Sequence, residues 1–132
     1  MLRCFTLACL TLLAGQFLQA QNRRAVEHTF LQASPGEREN LTKFIVTNWF
    51  AMDKIAKAQG LIDSYRIFDT GTEEGPWNVL VVVTYRNEKG YEGIAEAFEK
   101  IRKQHKVVPA SGKLLPQLGR IVDSKRLFET IP

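Results

Sequence analysis

Val79-Leu80-Val81-Val82-Val83, set between Trp77 and Tyr85, constrains the fold more than any other stretch of the chain. Five apolar residues in a row, four of them β-branched, read as a strand buried on both faces. Water against either face would have brought polar residues into alternate positions. A chain of 132 residues has few helices to spend as cover. The run therefore predicts a central strand with helices on one side and a second copy of the chain on the other.

The amino terminus predicts a leader. Arg3 supplies a positive charge, Cys4 to Gly15 is apolar, and Gln19-Ala20-Gln21 places a small residue for cleavage after Ala20, the layout of a secretory signal peptide. The apolar stretch is shorter than the ~20 residues of a spanning helix, so cleavage is favoured over an uncleaved anchor. Cys9 has too little apolar sequence before it to be a lipoprotein cysteine. Residues 21–132 then form one domain of a secreted or periplasmic protein, with no stable membrane span once the leader is removed. Both cysteines, Cys4 and Cys9, lie in the leader, so the mature domain has no thiol for disulfides, zinc–cysteine sites or nucleophilic chemistry. Removing Arg3 leaves 17 basic residues against 14 acidic ones. The signs are mixed, and Lys100, Arg102, Lys103 and Lys106 sit where a helix C-terminus favours cations. No continuous basic face with interleaved aromatics exists, which argues against a nucleic-acid partner.

Periodicity gives the element order. Arg24 to Gln32 reads as a strand, with Val26, His28 and Phe30 on one face and Glu27, Thr29 and Leu31 on the other. Ser34-Pro35-Gly36-Glu37 opens a helix by a capping box. Leu41, Phe44, Ile45, Trp49, Met52, Ile55 and Ala56 form its apolar stripe, and Gly60 ends it. Leu61 to Phe68 is a second strand, with Tyr65 and Ile67 opposite Ser64, Arg66 and Phe68. After a turn-rich segment at 69–76 comes the third strand, Trp77 to Arg86. Tyr91, Ile94, Ala95, Phe98 and Ile101 predict a second helix ending near His105, with Gly93 inside it. A long loop, 106–118, leads to a fourth strand, Gly119 to Phe128.

The order β-α-β-β-α-β, with right-handed crossovers, predicts an α+β ferredoxin-like fold. Its four-stranded antiparallel sheet carries both helices on one face and has the first and third strands at the centre. The uncovered face would then present alternate residues of the third strand to water, a larger apolar patch than a soluble monomer usually exposes. At roughly 25 cal/mol per Å², covering it stabilises a pair by many kcal/mol before association costs. A homodimer through the sheet face is the expected solution; the loop at 106–118 folded across that face is the alternative.

On this order, and on segments such as Phe30 to Glu37, Ala58-Gln59-Gly60-Leu61 and Pro76-Trp77-Asn78, the chain resembles the dimeric α/β-barrel superfamily over nearly all of the mature domain. That superfamily includes cofactor-free antibiotic-biosynthesis-type monooxygenases, lactone isomerases, stress-responsive barrel proteins and haem-dependent relatives. The resemblance implies a homodimer with a small-molecule pocket between helices and sheet in each subunit. It does not choose among those chemistries.

His28 and Tyr65 are the acid–base candidates. A mid-strand imidazole in a pocket can act as a general base or ligate haem, and otherwise is a satisfied group at the pocket rim or dimer seam. A buried phenol must find a partner, which a ligand can supply. Phe30, Trp49, Trp77 and Tyr85 are the expected pocket lining, with ordinary core as the competing reading of Trp49. His105, at a helix end, is read as serving the dipole. Arg66, Arg86, Arg120 and Arg126 either bind a carboxylate or protect strand edges. Asn40-Leu41-Thr42 has the form of a glycosylation sequon but falls inside the first helix. No metal-ligand spacing or phosphate loop appears. The expectation is an exported homodimer that takes a small apolar or aromatic ligand without a cofactor, as a monooxygenase- or isomerase-like enzyme. Its rivals are a non-catalytic binding protein and, further off, a haem protein with His28 as ligand.

Overall fold

A computed structural model describes residues 22–132. The expected leader, with Cys4 and Cys9, lies outside the described residues. The chain runs β1 (Arg23–Ala33), α1 (Arg38–Ala58), β2 (Ile62–Asp69), β3 (Val79–Tyr85), a 3-10 turn (Gly90–Gly93), α2 (Ala95–Gln104), a short α3 (Leu115–Leu118) and β4 (Gly119–Thr130). The four strands form one sheet in the order β2-β3-β1-β4, every neighbouring pair antiparallel. β1 and β3 are central, as the element order had placed them and as the apolar run of β3 requires. His28 lies opposite Val82 on one side and Lys125 on the other, and Tyr65 lies opposite Val83.

α1 and α2 cover the same face of this sheet. Ala25, Leu31 and Ala33 of β1 and Val79, Val81 and Tyr85 of β3 are buried beneath them, together with Leu41, Phe44 and Ile45 of α1 and Phe98 and Ile101 of α2. Strand alternation sends Val26, His28, Leu80 and Val82 to the opposite, uncovered face. The structure thus has helices on one side of an antiparallel α+β sheet and an open surface on the other. Among the described residues no helix is long and apolar enough to cross a membrane.

Local physics accounts for the boundaries and for the departures from expectation. α1 ends as expected: Gly60 takes φ +74°, its N–H bonds the Lys57 carbonyl, and Leu61 N–H bonds the Ala56 carbonyl. These paired bonds satisfy carbonyls that the helix end would otherwise leave open. Its start differs, for no capping box forms. Glu37 occupies the cap position without a side-chain cap bond, because its carboxylate is taken by Lys113 and by Asn40 Nδ2 at 2.8 Å. Those partners hold the Glu37 carboxyl below the usual carboxylate range, the Lys113 hydrogen bond first. The second helix is also interrupted. Ile94, at φ −124°, separates the 3-10 turn from α2, so Tyr91 belongs to the turn and not to the helix.

The segment 106–118, expected as a long loop, ends in the short α3, which has Pro116 in its first turn, and it does not cross the open face. Asn48, buried in α1, donates from Nδ2 to the Val108 carbonyl (2.9 Å) and accepts at Oδ1 from Val108 N–H (2.7 Å). His105 Nε2 meets the same Oδ1 at 3.0 Å. Val108 and His105 are thereby tied to the outer layer, and His105 serves Asn48 rather than the helix dipole alone.

Candidate functional site

The sheet separates two recesses. On the helix side, a cavity of about 360 Å³ lies between α1, α2 and the strands. Thr29 of β1 and Val81, Val83 and Tyr85 of β3 form its floor. Trp49, Met52 and Asp53 of α1 overhang it, and Tyr91, Ile94, Phe98 and Arg102 complete the wall. On the other side, an open depression of about 660 Å³ runs over the bare sheet.

The expected site residues divide between these two places. Trp49 and Tyr85 line the helix-side cavity. Phe30 and Trp77 do not. Phe30 shares the open face with His28 (ring centroids 6.4 Å) and meets Trp77 edge-on at 5.0 Å. His28 also lies on the open face, its Nδ1 at 3.3 Å from the Val26 carbonyl oxygen. Tyr65 lies on the helix face at the β2 position, packed on Phe50 with ring centroids at 4.8 Å. His28 and Tyr65 therefore stand on opposite sides of one sheet and do not converge on a single molecule within a protomer. The reason is the two-residue period of β1. Its helix-facing set is Ala25, Glu27, Thr29, Leu31 and Ala33, and the set containing His28 faces away.

Two ionisable groups that sequence reasoning passed over or read only as lining sit at the helix-side cavity. Asp53 is 8% exposed, accepts no hydrogen bond from the described residues, and has its pKa pushed from 3.8 up to about 7 by burial alone. Tyr85 is 7% exposed, and its ionisation is driven upward first by burial, then by the negative charge of Glu27, with smaller contributions from Asp53 and Tyr91. The phenol therefore stays a neutral donor and acceptor at any physiological pH. Glu27 itself is occupied by Arg126, whose Nη2 and Nε lie at 2.7 Å and 3.0 Å. Gly90 packs against this pair, since a Cβ there would come within 2.7 Å of Glu27 Oε1.

The spacing of α1 carried the signal for Asp53. It falls four residues after Trp49 and three before Ala56, on the buried stripe, while Ile55 points outward and is 46% exposed. Reading a carboxylate off that stripe and an isoleucine onto it was the error. Arg102 was likewise read only as part of a basic helix end. Its guanidinium stands 3.4 Å from both Tyr91 Oη and Glu99 Oε2 at the cavity wall. Of the four strand arginines, Arg126 is used by Glu27 and Arg120 by Gln32 Oε1 (3.0 Å). Arg86 is exposed, and Arg66 lines the open-face depression. Asn40, in the first turn of α1, donates to the carboxylate of the cap residue Glu37.

In chemical terms the cavity offers an aromatic enclosure, one buried carboxyl group that changes charge near neutral pH, and the Tyr85 phenol, which does not. No protein-family model matches the chain, and no curated protein matches it. Among solved structures it is similar to protein SO0527 from Shewanella oneidensis, with a TM-score of 0.52 at 12% sequence identity. The match covers 85% of this chain and 95% of that one. At that identity the likeness concerns the fold alone.

Proposed function

We propose that this is an exported ferredoxin-like α/β-barrel protein that binds a small apolar or aromatic molecule between its helices and sheet, and that two copies pair through their open sheet faces. The observation that carries the binding reading is the helix-side cavity of about 360 Å³ with Trp49, Tyr85, Tyr91 and Phe98 around Asp53, which has no partner among the described residues. Its size falls in the range of small-molecule sites, and an apolar wall with a few convergent polar groups is their usual make-up. Pairing is supported by Val26, Leu80 and Val82 on a face that no element of the described chain covers, with Phe68 and Leu127 about half exposed beside them.

A second reading, catalysis, is favoured by one observation. A carboxyl group that titrates near 7 beside a neutral phenol is suited to proton transfer at physiological pH. The monooxygenase- or isomerase-like activity then uses Asp53 and Tyr85 in place of His28 and Tyr65. The haem reading has less support, because no histidine lines the helix-side cavity.

Trp49 is the natural reporter. In a Trp77→Phe variant it is the single tryptophan of the described domain, so titration with small hydrophobic aromatic compounds is expected to shift or quench its emission saturably. Emission unchanged across such a panel would overturn the cavity as a ligand site.

A further inference from the structure

We infer that the helix-side cavity selects a small aromatic amine, its ammonium group against Asp53 and its ring among Trp49, Tyr85, Tyr91 and Phe98; this rests on reading that cavity as a ligand site. Asp53 is more than nine-tenths buried, borders the cavity and makes neither an ion pair nor a hydrogen bond with the described residues. A carboxylate buried without a partner is costly to the fold. A cation brought by a ligand removes that cost, whereas a neutral apolar ligand deepens it and an anionic ligand adds like-charge repulsion.

The surroundings agree with a cation. Four aromatic rings border the space, and their faces attract ammonium groups. The other charged group of the lining is Arg102 of α2, held at the wall by Tyr91 Oη and Glu99, with its guanidinium 5.7 Å from the Phe98 ring centroid. Tyr85 of β3 and Tyr91 of the 3-10 turn are the remaining titratable groups of the lining, and Glu27 of β1, behind Tyr85, is already neutralised by Arg126. Among the described residues Asp53 is therefore the one unanswered charge in the cavity. Its carboxyl group titrates near 7, so an ammonium ligand meets an anion above that pH and a neutral acid below it.

Calorimetric titration with three indoles of similar shape tests this: tryptamine, indole-3-ethanol and indole-3-propionate. Tryptamine is expected to bind at least tenfold tighter than the alcohol at pH 8.5, and the acid least well. The amine stays protonated across the range, so its affinity is expected to fall about tenfold or more at pH 5.5, where Asp53 is protonated. Asp53→Asn, checked for folding by circular dichroism, is expected to remove the preference for the amine while keeping the alcohol. Equal binding of amine and alcohol at pH 8.5, pH-independent tryptamine affinity in the wild-type protein, or a folded Asp53→Asn variant that still prefers tryptamine would each overturn the inference and leave the cavity reading standing. Failure of all three compounds to bind would overturn both.

Discussion

Asp53 holds its proton more firmly in the folded chain than it would unfolded, and this fixes the sign of a pH effect. Between pH 4 and 7 the folded state binds more protons than the unfolded one, so stability falls as pH rises through that window, by up to about 4 kcal/mol. Asp53→Asn is expected to flatten that part of the profile and to make the protein more stable than wild type at pH 8 in urea denaturation; an unchanged slope would place the carboxylate in a wetter setting. Asn48 poses the opposite case, a buried amide with every bond used. Asn48→Ala strands the Val108 N–H and carbonyl and is expected to cost about 1–3 kcal/mol, with faster amide exchange at residues 106–110. Neither residue stood out in the sequence. Periodicity reports that a position is buried, but a polar side chain on an apolar stripe looks like noise until its partners, or their absence, are seen.

Elements were more legible than residues. Each strand was found within two residues of its ends, because the two-residue alternation and the turn formers around Gly36, Gly60 and Gly71 are local signals. What alternation does not supply is which face meets the helices. In β1 both sets are mixed, with Val26, His28 and Phe30 as apolar as Ala25, Leu31 and Ala33. Nor does alternation report the close contacts that only a small residue permits. Gly119 shows it: a Cβ there would lie 2.6 Å from the Gln32 carbonyl oxygen and 2.9 Å from Leu41 Cδ2, although its extended backbone suits any residue. Gly60 has the reverse profile, with open space around it but φ +74°. Gly60→Ala is accordingly expected to cost about 1 kcal/mol, and Gly119→Ala several times more, since β4 must shift against β1. Thermal melts of the two variants check the order, and a Gly119→Ala protein as stable as Gly60→Ala would contradict the packing of that strand.

Taken whole, the molecule is a sheet with different business on its two sides. The helix side buries the core and encloses a cavity around Asp53; the other side lays Leu80 and Val82 open beside Phe68, which is 49% exposed, and Leu127, which is 54% exposed. The apolar run of β3 was enough to foresee a centre strand and a bare face, since both follow from hydrophobic burial by so short a chain. The kind of ligand proposed above was not foreseeable, because it rests on one carboxylate whose aromatic neighbours, Trp49, Tyr85, Tyr91 and Phe98, come from four separate segments. If the bare face pairs two copies, Val82→Lys places two like charges in an apolar seam and is expected to give monomers in sedimentation velocity, with the helix-side cavity intact. The most direct test of the two-sided account is native mass spectrometry of the protein purified from its own host. The predicted spectrum is a pair of chains retaining a small molecule; a single bare chain at micromolar concentration would contradict it.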